Sequence, residues 1–102
     1  GYCSGPSDLQ CCIETAPSSS ELGLDLSVAV SSSTASCLVG IGNSFIIPRG
    51  YHSYGAVDTN VCNTIINAAN AGFKTRDTYM FPCPTCSDSA STQLGQLLDY
   101  LN

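Results

Sequence analysis

Hydrophobic residues in this chain fall into three short runs, each followed by a segment carrying helix signals. The first run is Glu21-Leu22-Gly23-Leu24-Asp25-Leu26-Ser27-Val28-Ala29-Val30, where one carboxylate, Asp25, interrupts leucines and valines. The second, Ser44-Phe45-Ile46-Ile47-Pro48-Arg49, is continuously apolar, as strands of buried parallel sheets are, and closes on a cation. The third, 75–81, finishes at Tyr79-Met80-Phe81. Runs of this length bounded by turn residues predict strands.

The intervening segments read as helices. Ser31-Ser32-Ser33-Thr34 offers N-caps for a short helix over 35–40, stopped by Gly40 or Gly42. Asp58-Thr59-Asn60 caps a second over 61–71, with Val61, Ile65, Ala68 and Ala69 on one face, Cys62 and Ile66 at its edge, and Gly72 at the stop position. Residues 87–91 cap a third over 89–101, with Asp88 near its positive end and Leu94, Leu97, Leu98 and Leu101 expected to be buried. The aromatic stretch 50–55 is expected to be a loop. The order β-α-β-α-β-α predicts an α/β fold with a parallel sheet and right-handed crossovers.

Against that frame Asp25 is awkward, because burying an unpartnered charge costs several kcal/mol. Either the strand stops there and the carboxylate reaches water as a cap, or the strand delivers a working carboxylate to a site. In parallel α/β architectures functional groups gather at the C-terminal ends of strands. That rule selects Asp25, Arg49, the Tyr51-His52-Ser53-Tyr54 loop, Asp77 and Tyr79. Carboxylates, hydroxyls and tyrosine faces together suit a sugar. Arg49 could instead simply pair with Asp25, and Tyr51 and Tyr79 could be core or rim residues. His52 lacks a nucleophile elbow to serve and reads as a polar loop residue. Gly40-Ile41-Gly42 lacks the third glycine of a nucleotide-binding turn.

Composition narrows the class. At 102 residues, 43% hydrophobic and 11% charged, the chain suits one small folded domain. A net charge of −5, with only Arg49, Lys74 and Arg76 basic, argues against nucleic acid and against anionic membranes as partners. No apolar run approaches the ~20 residues that span a bilayer. Seven cysteines, Cys3, Cys11, Cys12, Cys37, Cys62, Cys83 and Cys86, with abundant Ser and Thr, predict a secreted, disulfide-bonded protein. Cys83-Pro84-Thr85-Cys86 also has the CxxC spacing of zinc and redox sites. Zinc usually needs a second spaced pair, and a redox CxxC opens a helix, so a structural disulfide is favoured and no metal or cofactor is expected. An odd count leaves one cysteine free, paired between chains, or paired with protein outside this sequence. With no initiator Met or signal peptide, the chain reads as a processed product. Residues 1–20 read as a cysteine-rich head and linker, a brace or the remnant of a wall-binding module.

Several of these segments carry a resemblance. Leu22-Gly23-Leu24-Asp25-Leu26-Ser27 resembles the first-strand G-x-D-x-S signature of glycoside hydrolase family 25 lysozymes, and Phe45-Ile46-Ile47-Pro48-Arg49-Gly50-Tyr51 their second strand. Asn70-Ala71-Gly72-Phe73 and the run from Asp77 through Pro82-Cys83-Pro84-Thr85-Cys86 are similar to the secreted eukaryotic (invertebrate and fungal) branch. The head looks like the cysteine motif before fungal wall hydrolases. The resemblance implies the N-terminal portion, 21–102, of a (β/α) TIM-like barrel. It further implies a muramidase that cleaves the β-1,4 bond between N-acetylmuramic acid and N-acetylglucosamine in bacterial peptidoglycan. It carries over Asp25 as a catalytic carboxylate, and Arg49 and Tyr79 as site-lining residues; Tyr51, selected by its place after the second strand, is expected to bind substrate beside them. The family's D-x-E pair on the fourth strand has no counterpart: the only glutamates, Glu14 and Glu21, precede the strand core. An acid/base Glu from a C-terminal remainder is therefore expected. The rival reading is a non-catalytic, disulfide-braced module that binds glycan or protein.

Overall fold

The computed structural model describes residues 21–102, so the head and linker read from 1–20, with Cys3, Cys11 and Cys12, lie outside the described residues. The first strand, β1 (Leu22–Leu26), leads to helix α1 (Ser32–Gly40), then to the long strand β2 (Asn43–His52) and the short β3 (Ala56–Val57). Helix α2 (Val61–Ala71), strands β4 (Thr75–Arg76) and β5 (Tyr79–Met80), and helix α3 (Ala90–Leu101) follow. All the pairing centres on β2: β1, β4 and β5 lie parallel to it, and β3 antiparallel. The mixed α/β class with three helices is as expected. Parallel pairing of the three predicted runs holds as well, and the antiparallel β3 is an addition.

Alternation sorts the side chains. Leu24, Leu26 and Ile46 face one way and join Val30, Ala35, Leu38, Ala68 and Phe73 in a buried cluster. Helices α1 and α2 thus cover one face of the sheet, each large side chain contributing about 1.5–3 kcal/mol of burial. On the other face Asp25 is exposed, and Gly23, Phe45, Ile47 and Arg49 are half-buried. A Cβ at Gly23 would run into the Phe45 ring, so glycine is what lets that ring lie flat across β1.

Local chemistry explains the helix ends. Ser31 Oγ accepts from the Thr34 amide at 3.2 Å, and Ser89 Oγ from the Thr92 amide at 3.2 Å, each a serine N-cap in the predicted stretch. Gly72, at φ 106°, ends α2 in the left-handed conformation as expected. The turn after Asp25 is tied to α2: the Val30 amide donates to Thr64 Oγ1 (3.1 Å) and Asn67 Nδ2 donates to the Val30 carbonyl (2.8 Å).

Four expectations are corrected. First, β2 does not end at Arg49 but continues to His52, and Ser53-Tyr54-Gly55 turns it into β3, with Gly55 at φ 92°. A three-residue hairpin turn closing on a left-handed glycine is the physical reason. Second, the third run is not one strand. Pro48 has no amide to donate at mid-strand, and its carbonyl is instead met by Thr78 Oγ1 at 2.8 Å, so β4 and β5 flank a break at Asp77-Thr78. Third, α3 buries Gln93 and Leu97, whereas Leu94 and Leu98 are exposed. Gln93 turns the helix: its amide group donates to the carbonyls of Cys83 and Asp88 and accepts from the Cys83 amide, all within 2.9 Å. Similarly, α2 buries Val61, Thr64 and Ala68 while Ile66 and Ala69 are exposed.

The fourth concerns the cysteines. Cys83 and Cys86 are bonded to each other, the structural disulfide expected of the CxxC. Cys37 and Cys62, also disulfide candidates, are bonded to no other sulfur among the described residues. Cys37 sits exposed on the outer side of α1, and the Cys62 thiol faces the Tyr100 carbonyl at 3.9 Å rather than another sulfur. No helix of the described residues is long and apolar enough to cross a membrane.

Candidate functional site

The residues singled out on the strands meet on and around the face that α1 and α2 leave uncovered. Asp25 pairs in register with Ile47, and Arg49, two residues further along β2, pairs with Tyr79. Alternation puts Asp25, Ile47 and Arg49 on one face, and the ~4.8 Å strand spacing with ~3.3 Å rise sets the Asp25 and Arg49 backbones about 8 Å apart. Asp25 lies within β1 and is exposed, so the strand does not stop before it and its charge bears no burial cost. Tyr79 is half-buried and meets Phe81 edge-on, with ring centroids 6.0 Å apart.

Arg49 does not pair with Asp25. Its Nε donates to Asp58 Oδ2 at 3.0 Å and its Nη2 lies 2.9 Å from the same oxygen. Asp58 is nearly buried, its other oxygen accepts from the Asn60 amide at 3.1 Å, and His52 Nε2 stands 3.5 Å from Oδ2. A buried carboxylate satisfied from three sides fixes the guanidinium in place. Sequence reading gave Asp58 only the role of a helix cap. The signal was present in the glycine-ended turn Ser53-Tyr54-Gly55, which folds the chain back so that the Asp58 amide donates to the Gly50 carbonyl at 2.8 Å, beside Arg49.

Tyr51 stands apart. It is fully buried, and its hydroxyl donates to Gln96 Oε1 at 2.7 Å. Pairing is irregular between Arg49 and Tyr51, which breaks the simple alternation that would have kept them on one face. Gly50, at that irregularity, is closely approached: an added Cβ would lie 2.6 Å from Thr78 Oγ1 and 2.8 Å from Leu97 Cδ1. Tyr51 therefore has no surface to offer a ligand among the described residues, and its place is as a prop between the sheet and α3. Asp77 is exposed at the break in the third strand.

Asp58→Asn is expected to destabilise the fold by about 2–3 kcal/mol, because it leaves the Arg49 charge without its partner. The cost falls short of a fully buried pair since Arg49 keeps 22% of its side-chain surface. Urea unfolding of the variant checks it.

Residues 16–102 match the family model described as lysozyme-like protein 1, and the chain belongs to that lysozyme-like family. It is 42% identical over 79 residues to "Probable GH family 25 lysozyme 2" of Dictyostelium discoideum, covering 78% of this chain and 37% of that protein. It is 47% identical over 79 residues to "Lysozyme-like protein 5" of Caenorhabditis elegans, covering 76% and 36%. The resemblance to glycoside hydrolase family 25 lysozymes read from the strands is thus borne out. The chain spans a little over a third of the length of these relatives. No solved structure matches it.

Proposed function

We propose that these residues form the N-terminal part of a secreted muramidase that hydrolyses the β-1,4 bonds between N-acetylmuramic acid and N-acetylglucosamine in bacterial peptidoglycan. The observation that carries the reading is Asp25, exposed on the helix-free face of the sheet within the stretch matched to the lysozyme-like family. The relatives named as lysozymes support it, and so does parallel pairing of three strands onto β2, the arrangement a (β/α) barrel would extend.

In this reading the helix-free face becomes the barrel interior once further strands complete it. The acid/base Glu comes from protein outside these 102 residues, since no D-x-E motif occurs among them. Cleavage passes through an oxocarbenium-like transition state, and retaining enzymes place two carboxyl groups about 5–5.5 Å apart around it. Asp25 supplies negative charge near the developing cation. Arg49, held by Asp58, and Tyr79 beside it line the substrate path and engage sugar hydroxyls and ring faces. Tyr51 supports this edge from behind through Gln96.

The test is digestion of purified peptidoglycan by the full-length protein, followed by borohydride reduction and identification of the new chain ends. A muramidase yields muramitol ends. Glucosaminitol ends would refute the bond assignment, and binding without new ends would favour the non-catalytic glycan-binding module.

A further inference from the structure

The tip of the β2–β3 hairpin carries Tyr54, 68% exposed, yet its ring is not loose. It stacks on His52 with centroids 4.5 Å apart and planes 18° from parallel. His52 Nε2 in turn stands 3.5 Å from Asp58, the carboxylate that fixes Arg49. The backbone under Tyr54 is braced too: its carbonyl lies 3.5 Å from Cys86 Sγ, and an added Cβ on Gly55 would lie 2.6 Å from that sulfur. The disulfide loop therefore backs the hairpin tip. One face of the Tyr54 ring is covered by imidazole, and the residue as a whole stays open to water.

Holding a large amphipathic ring in water, with both its stacking partner and its backbone fixed, gives no burial advantage to the fold. It does suit a ligand with a flat apolar face and polar edges, which a pyranose ring has. A second aromatic pair is close by: Tyr79, edge-on to Phe81, pairs with Arg49 on the neighbouring strand.

We infer that Tyr54, stacked on His52, is a sugar-stacking platform, a substrate subsite lateral to Asp25 that grips a glycan strand away from the bond being cleaved. This rests on the muramidase reading of the same site. A remote grip of this kind binds ground state and transition state alike, so it acts on KM and leaves kcat alone.

The experiment uses the full-length protein with peptide-free glycan strands of four disaccharide units, and strands of two units as the short substrate. Tyr54→Ala is expected to raise KM for the longer strands about five- to tenfold at unchanged kcat, with a smaller effect on the shorter ones. Tyr54→Phe, which keeps the stack and loses the hydroxyl, behaves as the parent protein. Unchanged KM for the longer strands in Tyr54→Ala overturns the platform, and so does a lowered melting temperature with KM unchanged, which would make Tyr54 a packing residue. In both cases the parent protein still cleaves the strands and the muramidase reading stands. A parent protein that cleaves neither strand removes the muramidase reading and the platform with it.

Discussion

Ile46→Ala is expected to lower stability by about 2–5 kcal/mol, a large loss for a single side chain. Ile46 is wholly buried on β2 and shares its cluster with Leu24, Leu26, Val30, Ala35, Leu38, Ala68 and Phe73. Removing three carbons leaves a cavity between sheet and helices that a strand paired on both edges cannot collapse to fill. Every pairing runs through β2, so the loss spreads to β1 and β4, its neighbours at that level. Urea unfolding should show a reduced midpoint at an unchanged slope, and Ile46→Val should cost only about 0.5–1.5 kcal/mol. A loss from Ile46→Ala as small as that from Ile46→Val would mean that the cluster is not the core.

Asp25→Asn in the full-length protein should cut kcat on peptidoglycan on the order of 100- to 1000-fold, the usual effect of removing one group aimed at transition-state charge. Asn has nearly the same shape and Asp25 is exposed, so the melting temperature should not move. A fall in kcat at constant KM would mark an interaction made in the transition state, whereas a rise in KM alone would reduce Asp25 to a substrate contact.

The contrast between strands and site shows what a sequence can carry. The three apolar runs and the serine caps were legible because they are local, each resting on periodicity or a side chain reaching its own backbone. What escaped reading depended on contacts between segments. The partner of Arg49 is nine residues away across a hairpin, and only the left-handed glycine at Gly55 hinted at that hairpin. The break in the third strand is set by a proline on its neighbour. In α3 the periodicity of Leu94, Leu97, Leu98 and Leu101 is real, yet Gln93 satisfies the backbone of the disulfide loop and rotates a different stripe inward. Asp25 changed most in meaning. The concern that it was a charge in an apolar strand dissolves once its face of the sheet is seen to be open.

The central claim is that the helix-free face of the sheet is where glycan binds. Chemical-shift mapping of the full-length protein, titrated with short peptidoglycan glycan strands, tests it most directly. The account predicts that shifts concentrate at Asp25, Ile47, Arg49 and Tyr79 and leave the exposed outer residues of α1 and α2 unmoved. Shifts confined to those helices, with the Asp25 face silent, would contradict it.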